Sequence, residues 1–244
     1  ANRFRWEPTA GKELTHFGKW IFASTIAGFF TSQGDRAILG KALTMGLLGI
    51  YNIGYFLASF PILLGQAVTG RVLIPIYREM PADGGDANQR KLRKMRFAIT
   101  AAIMTIMLSM AFVGVPLVNL LYDARYAMAG AIVVAVCCAQ IPMVIGMTYE
   151  QAALAAGNSR GFFLLSLVRA SLQIGCLLAG TLMAGLSGAL IGIGAAGVLT
   201  HPAIVLLARR HKIWDPLHDL AYTAIGAAFG GLALWLNWAA VSAL

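Results

Sequence analysis

Residues 97–122 read FAITAAIMTIMLSMAFVGVPLVNLLY and carry no charged side chain. A helix needs about 20 predominantly apolar residues to cross the hydrocarbon of a bilayer. This stretch meets that length, and the segment before it is its opposite. Residues 77–96 read YREMPADGGDANQRKLRKMR, a polar loop that ends in a basic amphipathic segment. The whole chain shares this character. Its 244 residues are 59% hydrophobic and 12% charged, with a mean hydropathy of +0.73. Soluble domains carry about 25% charged residues. The expected fold class is therefore all-α, a polytopic transmembrane helix bundle.

Seven segments have the length and apolarity of spans: 17–39, 47–76, 97–122, 127–156, 161–183, 187–208 and 219–241. Pro61 and Pro75 in the second, and Pro142 in the fourth, mark sites for kinks or breaks. The basic residues orient the chain. Only Lys41 and Arg125 fall on the far side, while Arg36, Arg71 and Arg169 lie within apolar runs. The rest of the 19 Lys and Arg fall on the side of the N-terminus. Such bias marks the cytoplasmic face, so the N-terminus is expected inside and the C-terminus outside. The net charge of +9 then needs no nucleic acid to explain it. Trp20, Tyr77 and Trp214 fall near inner ends; Tyr51, Tyr122, Tyr126, Trp235 and Trp238 fall near outer ones. The expectation is one transmembrane domain over 1–244, multi-pass in the cytoplasmic (inner) membrane. Residues 1–16 form its cytoplasmic lead-in and 77–96 a basic cytoplasmic loop. The chain opens on Ala with no secretory signal before its first apolar run, and reads as a portion of a longer protein.

Motifs for several chemistries fail. GIGAAG at 192–197 matches a dinucleotide fingerprint in letters only, because it lies inside a span with no preceding strand. No phosphate-loop signature occurs. The four histidines make no H-x-x-x-H pair, and His201 reads as a hydrogen-bonded packing residue. Cys137, Cys138 and Cys176 have neither metal-ligand spacing nor a disulfide framework. No cofactor, metal or catalytic residue is expected.

What remains is a set of polar residues within spans, which are costly in hydrocarbon and usually face a bundle interior or a wet cavity. Thr25, Gly28, Ser32 and Asp35 step by three, four and three residues, and so share a helix face. Asn52, Tyr55, Ser59 and Gln66 form a second stripe. Gln140, Met143, Met147 and Gln151 form a third with Glu150 beside it, and Ser166, Arg169, Gln173 and Cys176 a fourth. Four stripes with charges favour a hydrated cavity over packing alone. Asp35 is expected to face that cavity, with Arg36 turned about 100° away. Glu150 lies about 10 Å before the turn at 157–160 and Arg169 about 13 Å after it, so the two should meet across antiparallel helices. Gly28 and Ser32, Gly188 and Gly192, and Gly226 and Gly230 fit the small-xxx-small spacing of close helix packing.

FGKW at 17–20, QGDRAILGK at 33–41, GIYNIG at 49–54 and RVLIP at 71–75 carry a resemblance, as does GLSGALIGIGAAGVL at 185–199. Together they resemble the oligosaccharide flippase (Wzx-like) branch of the multidrug/oligosaccharidyl-lipid/polysaccharide exporters. The resemblance implies a transporter with 12 or 14 helices in two bundles, of which this chain is similar to the second. It also implies alternating access and a polyprenyl-pyrophosphate-linked oligosaccharide as substrate. The implied partners are the lipid bilayer, that lipid-linked substrate, the other half of the exporter and polysaccharide assembly proteins.

The expected function is thus flipping of lipid-linked oligosaccharide or exopolysaccharide repeat units, not enzymatic catalysis. The substrate-cavity candidates are Thr25, Ser32, Asp35, Arg36, Asn52, Gln66, Gln140, Glu150, Gln151, Arg169 and Gln173. Two alternatives are a small-molecule exporter of the same superfamily and a membrane polymerase or glycosyltransferase. A seven-helix receptor is disfavoured by the charge bias.

Overall fold

In the computed structural model, which describes residues 8–80 and 85–244, the uncharged stretch 97–122 lies almost wholly within one helix, α3 (Asp86–Leu121). The basic segment before it is the first part of that same helix. Every regular element among the described residues is helical. α1 (Pro8–Ala42) and α2 (Met45–Glu79) precede α3. After a short 3-10 turn at Ala124–Tyr126 come α4 (Met128–Ala139), α5 (Ile141–Ala155), α6 (Ser159–Arg210), α7 (Pro216–Leu236) and a final turn, α8 (Trp238–Val241). The lead-in residues 1–7 and the loop residues 81–84 lie outside the described residues.

Helix ends follow from local chemistry. Thr44 caps α2 by accepting the Leu47 amide, Asn158 caps α6 by accepting from Gly161, and Asp215 caps α7 by accepting from Leu217 and His218. Asn158 also reaches His211, with 3.2 Å between its amide nitrogen and Nε2. Burial and the neighbouring Arg210 lower the His211 pKa, which leaves the ring neutral and able to accept that hydrogen bond near pH 7.

Prolines and a glycine bend the chain unevenly. α2 runs unbroken through Pro61 and Pro75. The break comes instead in the fourth apolar segment, where the axis turns by 47° between α4 and α5, at Gln140 just before Pro142. α6 reverses at Ala184 and Gly185, where Gly185 takes φ +57. Its two arms, 159–183 and 186–210, fold back on each other. A Cβ added to Gly180 or Gly188 would strike the other's carbonyl oxygen, and one on Gly192 would strike the Cys176 carbonyl. Gly226 and Gly230 meet Ile141 at similarly close range. The first small-residue pair behaves differently: nothing lies within 4 Å of where a Gly28 Cβ would stand.

Among the described residues four helices, α2, α3, α6 and α7, are long and apolar enough to cross a membrane, and the bent α4–α5 pair makes a fifth. The expected number was seven. One difference is α6, which counts once although it holds two apolar arms. The other is α1, whose middle is diluted by Ser24, Thr25, Thr31, Ser32 and Gln33 and whose end carries Asp35, Arg36 and Lys41. The bundle faces its surroundings with apolar side chains. Phe22, Phe29, Phe60, Leu182, Ile191 and Trp235 are each about half exposed or more. Such a wide apolar surface suits lipid.

Packing divides the interior into two clusters. The larger joins α2, α3, α4 and α6 around Tyr51, Met107, Ile132 and Leu190. The smaller lies where α2 ends, α3 begins and α5 meets α6, around Leu73, Leu92, Tyr149 and Leu207. α1 packs mainly along α6, with Trp20 against Phe163 at 5.3 Å between ring centroids.

Candidate functional site

A cavity of about 560 Å³ opens between α1, α2, the α4–α5 joint and both arms of α6. Pockets of roughly 300–1,000 Å³ commonly take organic ligands. Its wall is built from the stripes. Ser32, Arg36, Gln66, Gln140, Arg169 and Gln173 line it, together with Tyr55, Ser59, Met143 and Ser166. Thr31 and Gln33 of α1 and Thr200 of the second α6 arm also line it, although no stripe included them.

Other candidates stand elsewhere. Thr25 is exposed and bonds back to the Ile21 carbonyl; Asn52 and Gln151 are partly buried; none of the three lines the cavity. Asp35 and Arg36 exchange the orientations expected of them. Asp35 is 3% exposed and turned to α2, where the Tyr51 hydroxyl donates to its Oδ2 at 2.7 Å. Arg36 faces the cavity and donates from Nη1 to Gln33 Oε1 at 3.0 Å. The stripe gave the correct face of α1 to within one residue. That one-residue step is a rotation of about 100° and decides which charge is inside.

The Asp35–Tyr51 bond is a tie between α1 and α2, which otherwise touch little. Hydrogen bonds to charged groups contribute about 1.5–3 kcal/mol. Tyr51→Phe should lose about that much stability in thermal or denaturant unfolding. Tyr55→Phe, whose ring sits 5.5 Å from that of Tyr51, should change little. No loss from Tyr51→Phe would show that ring packing, not the hydroxyl, holds the pair.

Glu150 and Arg169 meet as the turn geometry suggested. Arg169 grips the carboxylate with both terminal nitrogens, Nη1 to Oε2 at 3.1 Å and Nη2 to Oε1. Glu150 is buried behind the wall, so this pair neutralises Arg169 from outside the cavity. Arg36 is different: among the described residues no carboxylate lies within ion-pair distance of it. The hydroxyls of Ser32, Ser59, Ser166 and Thr200 spend their protons on carbonyls of their own helices. They offer lone pairs, while donors to a ligand come from Arg36 and the amides of Gln66, Gln140 and Gln173. Gln140 Oε1 is buried with no partner, an acceptor left open at the α4–α5 joint.

A second polar group forms where α5, α6 and α7 meet. The Asp219 carboxylate accepts from Tyr149 at 2.8 Å and from Trp214 at 3.0 Å, with His218 Nδ1 at 3.1 Å and His201 Nε2 at 3.2 Å. His218 is fully buried, and its Nε2 lies 3.0 Å from the Thr100 hydroxyl. Every partner is a polar group of the fold, so the cluster is a satisfied brace between helices. His201 has the packing role its position indicated. The rest of the cluster was missed, because Tyr149 comes from about 70 residues away and no local spacing signals it. Asp219, an acid at the start of the seventh apolar segment, was the one available sign.

The fold and cavity define a class, an α-helical membrane protein with a polar chamber inside an apolar shell. The chain belongs to the polysaccharide biosynthesis protein family, whose pattern it matches over residues 1–131. No curated protein and no solved structure matches it. The family match spans α1 to the start of α4 and so includes the α1 and α2 walls of the cavity.

Proposed function

We propose that this chain is part of a flippase that moves lipid-linked oligosaccharide across the cytoplasmic membrane by alternating access. The observation that carries the reading is the chemistry of the chamber. Glutamine amides and hydroxyl lone pairs suit the hydroxyls of a sugar, and Arg36, a cation without an ion-pair partner among the described residues, suits a phosphate. The apolar shell leaves the lipid tail in the bilayer while the head group passes inside. Arg169, held by Glu150, shapes the wall and contributes less net charge to a ligand. The work is movement rather than bond-making, the orientation is N-terminus inside, and a second bundle completes the exporter.

The test is occlusion. Ser59→Trp places an indole in the chamber, and Arg36→Ala removes the cation. Both should lower export of labelled lipid-linked oligosaccharide by about tenfold or more in cells carrying the complete exporter, with protein level unchanged. Export at the wild-type rate in both variants would remove the chamber from the transport path.

A further inference from the structure

Apart from the chamber, a pocket of about 570 Å³ opens where the first turns of α3 and α7 meet the short connector after α6. It shares no lining residue with the chamber. We propose that this pocket binds a phosphate-bearing anion, a phosphomonoester or diphosphate group. The proposal does not depend on the transport reading.

Four cations line it: Arg90, Arg93, Arg96 and Lys212. Its carboxylates among the described residues are Asp86 and Asp215. Asp215 is already committed. Its Oδ1 caps α7, and its Oδ2 sits 2.6 Å from Arg93 Nε. Arg90, Arg96 and Lys212 have no such carboxylate partner within ion-pair distance among the described residues. Arg96 is the informative one. It is only 5% exposed, its guanidinium carbon lies 5.6 Å from the centroid of the Tyr149 ring, and its Nε is buried without a hydrogen-bond partner. A buried cation with an unmet donor is costly unless an anion compensates it. First-turn residues of α3 and the cap of α7 stand on the same wall, so the positive ends of two helix dipoles lie beside it. Arg90 and Lys212, both exposed, stand at the mouth, where they can close over an entering anion.

Two sources supply such a group: the head group of an anionic lipid, or a soluble phosphate compound. The full chain in maltoside detergent separates them. One arm titrates inorganic pyrophosphate by calorimetry; the other counts bound phosphatidic acid by native mass spectrometry. Saturable binding of one equivalent is expected in at least one arm, and the arm that shows it identifies the source. Arg96→Gln should weaken that binding about tenfold. Because Arg96 is buried, Arg90→Gln combined with Lys212→Gln provides an exposed pair that leaves folding intact, and it should weaken binding by a similar factor. Arg71→Gln, an exposed cation outside the pocket, should leave affinity unchanged. The proposal is overturned if neither probe binds, if the Arg90/Lys212 pair binds as wild type does, or if Arg71→Gln loses as much as the pocket variants.

Discussion

Arg169→Met should cost the protein about 3–5 kcal/mol of stability, because it leaves Glu150 buried without its counter-charge. The double variant Glu150→Gln with Arg169→Met should recover most of that loss, since a neutral amide beside an apolar chain no longer needs the ion. Thermal unfolding of the purified variants in detergent reads both outcomes. The reason is positional. The pair spans the turn at Gly157 and Asn158, and ties α5 to the first arm of α6 at the chamber wall. If the single variant is as stable as wild type, Glu150 has another source of solvation and the pair is no brace. If single and double variants lose equally, the loss comes from missing arginine packing instead.

Gly192→Val should abolish the folded state more completely than any polar substitution in the chain. The added Cβ falls on the Cys176 carbonyl and within 3.1 Å of the Leu177 Cα. Those are backbone atoms, so no side-chain rotation relieves the clash and the two α6 arms must separate. The yield of monodisperse protein on size exclusion should fall by about tenfold or more. Gly175→Ala makes the control, because it lies on the facing arm with nothing within 4 Å of its Cβ position. It should be neutral or slightly stabilising, since Ala favours helix over Gly by about 1 kcal/mol. Equal behaviour of the two variants would mean that the arms do not approach as described.

The fold was largely legible in residues 97–122 and their basic flank, because hydrophobic length and charge placement are properties of the chain itself. The Glu150–Arg169 meeting was legible for the same reason: a short turn makes depth on one helix predict depth on the next. The two α6 arms could be separated in advance, although which prolines bend the chain could not. Pro61 and Pro75 lie within one unbroken helix, while Gln140 and Pro142 mark a 47° break. What bends depends on neighbours that stabilise or fill the freed backbone, and those are set by tertiary packing. The Asp35 and Arg36 exchange was not legible because periodicity gives relative angles on a helix, not the bearing of its neighbour. Thr25 shares the Ser32 face yet stands outside the chamber, which reaches along α1 only from Gly28 to Arg36.

The joint at Gln140 has a mechanical meaning. Pro142 has no amide hydrogen to give to Cys138, so the helix ladder is already open at that step. Bending there has one helix hydrogen bond fewer to break than a step without proline. At this joint, where the axis already turns by 47°, Gln140 lines the chamber and presents an unfilled acceptor to whatever the chamber holds.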